Sequence, residues 1–565
     1  MSAIAGLALR GRRLPEATRI EALGAALAHR GAPGAAVLAP GAALIGVGGA
    51  AIPQQAGAAT LIASDLPPEP VALGAAHGLA EAEPARLPLL LYRRSGLGFA
   101  AALPGPFALA VQDHAMRRLV LARDAFGIAP LYLAETAEGL AFASEPRAFF
   151  AAGLVPPRLR PPARDELLQL QFSTGAETLF EGVARVLPGE CLAIADGAVV
   201  ERRRHAALPE GGPEPLTEAA ALERFEAAFL PAVMARLEGA TAVLLTGGVN
   251  GAALLAALRR LGVTGGEALV PLPEGGAAGV RQAAAIGLPV RPIPIGEAEI
   301  WASLPGLAAA LDDPTADPGA ALLWAVGSAV RGTVPALLCG DGADELLAGQ
   351  SRHRAAMRPW WLWGRAMRAR GAFDRLDVLR AEPRAWRDGI AATEAAVAGG
   401  GRTRLQAAQA LDVADFLPHD LLLRLDRCLA ARGVAPRLPF LDAAVAAACF
   451  RLPDALKVRE GRGKWLLRRW VAQALPGAAA ERVGQGVRLP LGAWIERRAG
   501  ELGPLVARQA GIAELCRPGR VEALFRHAGD RRAGPAAWHL LFYALWHRAH
   551  IEGRPGGADV FEALR

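Results

Sequence analysis

From residue 216 onward, short apolar runs alternate with longer segments of helical periodicity, and this alternation limits the fold more than any other feature. The pattern predicts a helix over 218–237, a strand over 241–245 and a helix over 251–260. A strand over 268–272, a helix over 277–286, a strand over 290–295, a helix over 319–330 and a strand over 334–339 follow. Strands separated by helices can pair only in parallel, with the helices covering the faces of a doubly wound sheet. Ligands of such sheets sit beyond the carboxyl ends of the strands.

Two of those strand ends run into glycine-rich turns. The strand over 241–245 enters Thr246-Gly-Gly-Val-Asn-Gly251, and the strand over 334–339 enters Cys339-Gly-Asp-Gly-Ala-Asp-Glu345. A strand, a glycine turn and a helix N-terminus together present backbone N–H groups to a pyrophosphate. Gly247 and Gly248 suit close approach of phosphate to the backbone. Asp341 and Asp344 share a short turn although neighbouring carboxylates repel. They make sense beside a cation, either a magnesium ion or a reacting amine. The two turns point to an enzyme that handles ATP.

The chain has 565 residues, too many for one core, so at least two domains are expected. Its first two hundred residues hold short apolar segments, such as 43–47, 107–111, 119–122 and 191–195, set apart by Gly and Pro turns. They predict a strand-rich domain of layered sheets over 1–202, a Pro/Gly-rich linker over 203–215 and the alternating domain over 216–565. Beyond residue 350 the sequence reads as mostly helical. Cys191, Cys339, Cys428, Cys449 and Cys516 are scattered without a CxxC, which argues against a disulfide framework or a zinc site. The net charge of +7 is spread along the chain without a nucleic-acid motif, so a basic surface is the reading and no nucleic-acid partner is expected. No uninterrupted apolar run of membrane length and no signal-peptide pattern appears, so no membrane partner and a cytoplasmic location are expected. Trp360, Trp361 and Trp363, on a basic stretch, read as a packed helical edge rather than a membrane anchor.

Several fragments in order resemble the glutamine-hydrolysing asparagine synthetase family over nearly the whole chain. His29-Arg-Gly-Ala-Pro33 is similar to the family's HRGPD, and 122–132 to ARDRFGIKPLYY. Phe142-Ala-Ser-Glu145 is similar to FASE, Asp313-Pro-Thr-Ala-Asp-Pro318 to EPxxDPS and 339–345 to SGEGSDE. Leu425-Asp-Arg427 and Arg437-Leu-Pro-Phe-Leu-Asp442 resemble DR…RVPFLD. The resemblance implies a two-domain α/β chain. Its N-terminal half would be an Ntn-hydrolase-like layered β-sandwich with helices, of the class II glutamine amidotransferase type. Its C-terminal half would be a doubly wound parallel sheet of the ATP-pyrophosphatase, adenine nucleotide alpha-hydrolase-like type, with a helical extension. The implied chemistry is adenylation of a carboxylate by ATP, with Mg2+ offsetting phosphate charge, followed by displacement of AMP by an amine. A homodimer is compatible with it.

Carried over residue by residue, the resemblance places Leu245, Thr246, Gly247, Gly248, Asn250, Gly251, Val270, Cys339 and Gly340 against ATP. Asp344 stands where the family has a magnesium carboxylate, and Asp341 where it has a glutamate that accepts the amine's proton. Asn250 replaces a second magnesium carboxylate with a neutral, weaker ligand. Gly251 removes a hydroxyl, and Ala435 replaces an acid. In the segment similar to RxKxGF, Gly484 occupies the place of a lysine that steadies transition-state charge. Lys457 and Lys464 are the only lysines of the chain. Lys464 could reach in to supply that charge, although the family's corresponding position is ordinary helix and a surface place is the plainer expectation.

The N-terminal half departs further. Ser2 stands where the family has its nucleophilic cysteine, the glutamine-binding arginine falls near Gly49, and the segment matching NGEIYN is 63–68, which lacks the oxyanion amide. A glutamine carboxylate would lack its ion pair, and a tetrahedral intermediate its donors. The expectation is a silent glutaminase, with Arg123, Asp124 and Phe142–Glu145 as scaffold. Asp426 and Arg427 read as a structural ion pair. The first functional reading is an ATP-dependent amide-forming ligase, with a small-molecule or peptide carboxylate as substrate and free ammonia or a substrate amine as nitrogen source. β-Lactam synthetases and lasso-peptide macrolactam cyclases resemble it in having lost the cysteine. The second reading is a nucleotide-binding or scaffold pseudoenzyme.

Overall fold

The computed structural model describes residues 2–565 except for 12, 50–51, 57, 65–72, 75, 80–82, 238, 274–277, 359–366 and 477–486. The segment holding Gly484, the tryptophans at 360, 361 and 363, and residues 65–68 of the 63–68 segment therefore lie outside the described residues. Contacts divide the chain into two units. The first comprises Met1–Arg158, Gly175–Pro209 and Leu441–Ala443, and the second Leu159–Thr174, Glu210–Phe440 and Ala444–Arg565. All five cysteines are free and buried. Among the described residues no helix is long and apolar enough to cross a membrane.

The first unit is built on two six-stranded sheets. Its strands are β1 (Ser2–Leu9), β2 (Val37–Ala39), β3 (Ala42–Gly48), β4 (Gln54–Ala56), β5 (Ala59–Ala63) and β6 (Ala108–Asp113). They continue as β7 (Arg118–Arg123), β8 (Tyr132–Thr136), β9 (Gly139–Ala143), β10 (Val183–Arg185), β11 (Glu190–Ala195) and β12 (Ala198–Arg204). One sheet has the order β10-β8-β9-β1-β3-β2 and the other β12-β11-β7-β6-β5-β4. β12 runs to Arg204, pairing Arg203 with Cys191 and Arg204 with Glu190, so ladder bonds carry the strand past residue 202. Side chains alternate across a strand, so one strand can serve two cores. Leu119 and Leu121 of β7 join Ile4, Leu44, Ile62, Phe142 and Leu192 in the core between the sheets. Their neighbours Val120 and Ala122 face a second core with Leu87, Leu89, Leu91 and Phe99. This second core is closed by the helix Leu87–Ser95 and the 3-10 turn Gly96–Ala102.

The second unit carries a five-stranded sheet. Its strands are β13 (Ala240–Leu244), β14 (Glu267–Leu272), β15 (Val290–Pro294), β16 (Ala336–Leu338) and β17 (Ala435–Arg437), in the order β15-β14-β13-β16-β17 and all parallel. In chain order its helices include α1 (Glu218–Met234), α2 (Val249–Arg260), α3 (Ala278–Ala284), α4 (Glu297–Ala310) and α5 (Gly319–Val330). Three more matter to the site: the short α6 (Ala343–Leu346), a ten-residue π-helical stretch Asp412–Leu421, and α7 (Trp465–Ala474). From β13 the chain steps outward to β14 and β15, then returns to lay β16 on the other side of β13. That reversal puts the topological switch point between the carboxyl ends of β13 and β16, the place where sheets of this kind bind ligands. Trp470 of α7 packs edge-on against Phe225 and Phe229 of α1, with ring centroids 5.4 and 5.7 Å apart, which seats α7 in the unit's core.

Candidate active site

β13 and β16 pair directly, with Ala242 opposite Leu337 and Val243 opposite Leu338, so their following turns lie side by side. Gly247 has φ +80, a left-handed conformation that a side chain would resist, and Gly248 caps α2. Leu245 N–H donates to Leu269 O at 3.0 Å, Val487 N–H donates to Thr246 O at 3.1 Å, and Val270 is buried on β14. A Cβ at position 279 would stand 2.9 Å from Val270 Cγ1 and 2.7 Å from Leu245 O, so Gly279 lets α3 close over the strand ends. Gly251 is buried, and a Cβ there would sit 3.0 Å from Leu245 Cδ2. In the second turn Cys339 N–H donates to Arg437 O at 2.9 Å, which fixes the turn to the edge strand β17. Burial pushes the Cys339 thiol well up, so it is an apolar filler here.

Asn250 ties the two turns together. Its Nδ2 donates to Gly340 O at 3.1 Å and to Asp344 Oδ2 at 2.8 Å. An aspartate could donate neither bond. The approach depends on Gly340, because a Cβ there would stand 2.7 Å from Asn250 Cβ.

Of the two places open to Lys464, the surface and the space between the turns, the structure shows the second, at the start of a helix and not in its interior. It is the residue before α7, in the left-handed conformation with φ 59 and ψ 38. Its Nζ donates to Asp344 Oδ1 at 2.9 Å and to Asn250 Oδ1 at 3.1 Å. Its backbone N–H donates to Leu347 O at 2.9 Å, and Gly463 lies against Ala348 O so closely that a side chain there would collide. The short hairpin Val458–Gly463 before α7 is therefore stitched to the segment after α6, and the lysine is aimed between the two turns. No local signal announces this, since Lys464 and Asn250 are 214 residues apart.

The two carboxylates of the second turn differ in electrostatics. Burial pushes the Asp341 carboxyl above the usual range, the Arg424 guanidinium at 3.9 Å pulls against that, and Asp344 adds to the rise. Burial would also raise Asp344, but the Lys464 ammonium and the Asn250 amide outweigh it and hold the carboxyl below its usual range. The two carboxylates of one turn are thus pushed apart in proton affinity by their surroundings. Arg424, which sequence reasoning missed, also stands 3.5 Å from Asp317. Behind it Asp420 accepts from Thr315 Oγ1 at 2.6 Å and from Gln171 Nε2 at 2.5 Å. Its carboxyl is pushed up to about 7 by burial and by the charge of Asp317. The Asp426–Arg427 pair is structural: buried Arg427 bridges Asp312 at 2.8 Å and Asp426 at 2.7 Å.

Magnesium prefers hard oxygen ligands at about 2.0–2.1 Å in octahedral array. Here Asp344 presents one oxygen to an ammonium and the other to an amide N–H, and the Asn250 oxygen faces the same ammonium. Among the described residues no group of three or more His, Cys, Asp or Glu is placed to hold a metal. The arrangement does not fit a divalent ion ligated by Asp344 and Asn250.

In the first unit Ser2 is 8% exposed and pairs with Gly48 across β1 and β3. A Cβ at Gly49 would lie 3.9 Å from Ser2 Oγ, so position 49 does adjoin Ser2, and it carries no side chain. Ser64 is engaged with Ala108 through both its backbone N–H, at 2.8 Å, and its hydroxyl, at 3.0 Å. Arg123 donates to the carbonyls of Ala129, Val186 and Gly127, and Asp124 accepts from the N–H groups of Phe126, Ile128 and Ala129. Buried Glu145 is bonded to Arg30 Nε at 2.5 Å and His29 Nε2 at 2.8 Å, with Arg147 Nε at 2.8 Å.

A family model described as asparagine synthase matches residues 227–548, and one described as a glutamine amidotransferase domain matches residues 87–205. A putative glutamine-hydrolysing asparagine synthetase of Mycobacterium tuberculosis is 26% identical, over 82% of this chain and 79% of that one. Glutamine-hydrolysing asparagine synthetase 1 of Bacillus subtilis is 24% identical, over 82% of this chain and 81% of that one. With matched residues spanning more than half its length, the chain belongs to the asparagine synthase family of ATP-dependent, amide-forming ligases.

Proposed function

We propose that the second unit adenylates a carboxylate at the two turns and passes the acyl group to ammonia or a substrate amine, while the first unit hydrolyses no glutamine. The observation that carries this reading is the convergence of Gly247–Asn250 and Gly340–Asp344 from adjacent parallel strands, clasped through Asn250. In the first step a substrate carboxylate oxygen attacks the α-phosphorus of ATP, and pyrophosphate leaves. The N–H groups of the first turn of α2 suit the phosphates, and the Lys464 ammonium offsets charge on the departing pyrophosphate. In the second step the amine nitrogen attacks the acyl carbon, a proton passes to Asp341, and AMP leaves. The raised proton affinity of Asp341 fits that acceptor role, with Arg424 orienting it. Magnesium would serve as the counter-ion of the nucleotide's own phosphates.

Two observations support the silent first unit: Ser2 stands beside a glycine at position 49, and the matching charged fragments are engaged in scaffold bonds. A second reading, a non-catalytic nucleotide binder, is favoured by one observation. Asn250, Asp344 and Lys464 satisfy one another without a ligand. ATP–pyrophosphate exchange and AMP release separate the two, with aspartate or an amine-bearing carboxylate, small or peptidic, supplied with ammonia or with glutamine. The ligase reading expects AMP and pyrophosphate in equal amounts with ammonia or an internal amine, and no glutamate from glutamine. ATP binding with no exchange across these substrates would favour the binder. Glutamate release would overturn the silent first unit.

A further inference from the structure

Asp344 Oδ1 and Asn250 Oδ1 face one common point between the two turns, and that point already holds a cation. Lys464 Nζ lies 2.9 Å from the first oxygen and 3.1 Å from the second. The unit builds this position from several directions. Gly463 and the Lys464 N–H lock the lysine to Leu347 and Ala348. Gly349 leaves room for the Asp344 carboxylate, which a side chain at 349 would strike. Gly340 leaves room for Asn250. The Lys464 side chain is 13% exposed and that of Asp344 27%, so the point borders open space.

We infer that the Lys464 ammonium is a built-in cation occupying the place of a protein-ligated divalent metal, and that it meets the phosphates of a nucleotide directly. For a magnesium ion to bridge the two oxygens, the ammonium would have to leave, because two cations cannot share one point. The charges of Asp344 and Lys464 also cancel, which removes the net negative charge that attracts a divalent ion. An ammonium has three N–H donors, and two are used within the described residues. The third is left for an anionic oxygen, and a lysine suits phosphate as a compact point charge. Asn250 fits the same logic, since its amide both accepts from the lysine and donates to Asp344, replacing the like-charge pair that two carboxylates would form with no metal between them. The nucleotide half of this inference rests on the function proposed above, whereas the metal half does not.

Mn2+ titration of the whole protein without nucleotide tests the metal half, with folding checked by circular dichroism. Wild type is expected to hold no Mn2+ at this point, and Lys464→Gly combined with Asn250→Asp to gain one Mn2+ per chain, at least tenfold tighter than wild type. Glycine suits the left-handed backbone at 464, and Lys464→Met with Asn250→Asp is the second variant should the first not fold. The inference is overturned if wild type binds one Mn2+ that Asp344→Asn weakens tenfold while Lys464→Gly does not. It is also overturned if the folded double variants gain no metal. ATP titration in EDTA and in Mg2+ reads the nucleotide half. Lys464→Gly should lose at least tenfold in affinity relative to wild type in both media. A loss below threefold in EDTA overturns it. Absence of ATP binding in either medium overturns the nucleotide half together with the proposed function, while the Mn2+ titration still decides the metal half by itself.

Discussion

The surroundings of Ser2 and those of Asp341 differ in the charge they bring to the residue at their centre. Ser2 has Gly48 across the strand pair and Gly49 beside its hydroxyl. Asp341 sits in a turn ringed by Arg424, Asp344, Asn250 and Lys464. Yet both units keep charged residues from the family's fragments. Those of the first unit (Arg30, Arg123, Asp124 and Glu145) are all buried and bonded. Breaking a buried pair of this kind by removing one partner costs about 3–5 kcal/mol, because the other charge is left uncompensated. The Asp341 side chain, 23% exposed and 3.9 Å from Arg424, is held less tightly.

The sharpest way to break the comparison is Asp341→Asn. Amide formation is expected to fall by about a hundredfold or more, as for loss of a general base, while ATP–pyrophosphate exchange persists. Equal loss of both would place Asp341 among the structural charges. Asp420→Asn examines the layer behind Asp341. The folded protein raises this carboxyl to about 7 from an ordinary value of 3.8, so between those values it holds a proton that the unfolded chain releases. Stability therefore declines as pH rises from about 4 through 7. The variant escapes that decline, so its melting temperature relative to wild type should be higher at pH 8 than at pH 4, with Gln171 turning its amide to keep the bond. A difference independent of pH would mean that Asp420 is ionised throughout. The smallest effect belongs to Ser2→Ala, which should leave amide formation within about twofold of wild type. A drop beyond about tenfold would return Ser2 to the chemistry.

The alternating half was legible because strand and helix periods are local. The expected strand 268–272 begins one residue late, and the expected helix Gly319–Val330 matches the observed one. Helix Glu297–Ala310 has no counterpart among the expected elements; it carries Pro305 and Gly306 within it, and burial of Ile300, Trp301, Leu304 and Leu307 holds it. Strand β17 is three residues long with a proline at its centre and exists only because β16 offers it an edge. In the site, the two glycine-rich turns could be read from the sequence because strand, glycines and helix follow one another locally. The ammonium between them could not, because its position depends on packing of Trp470 against Phe225 and Phe229, more than two hundred residues upstream.

The widened coil at Asp412–Leu421 has a consequence of its own. Asp412 at its start grips Arg352 at 2.7 Å and His353 at 2.6 Å, while Asp420 near its end serves Thr315 and Gln171. An i→i+5 winding encloses one more residue in each hydrogen-bonded ring than the ordinary i→i+4 coil. The angular offset between the two acids is thus set by a pitch rather than by either anchor. Deleting one residue between them would let the coil tighten and swing one acid off its mates, so this stretch acts as a spacer between two sets of anchors.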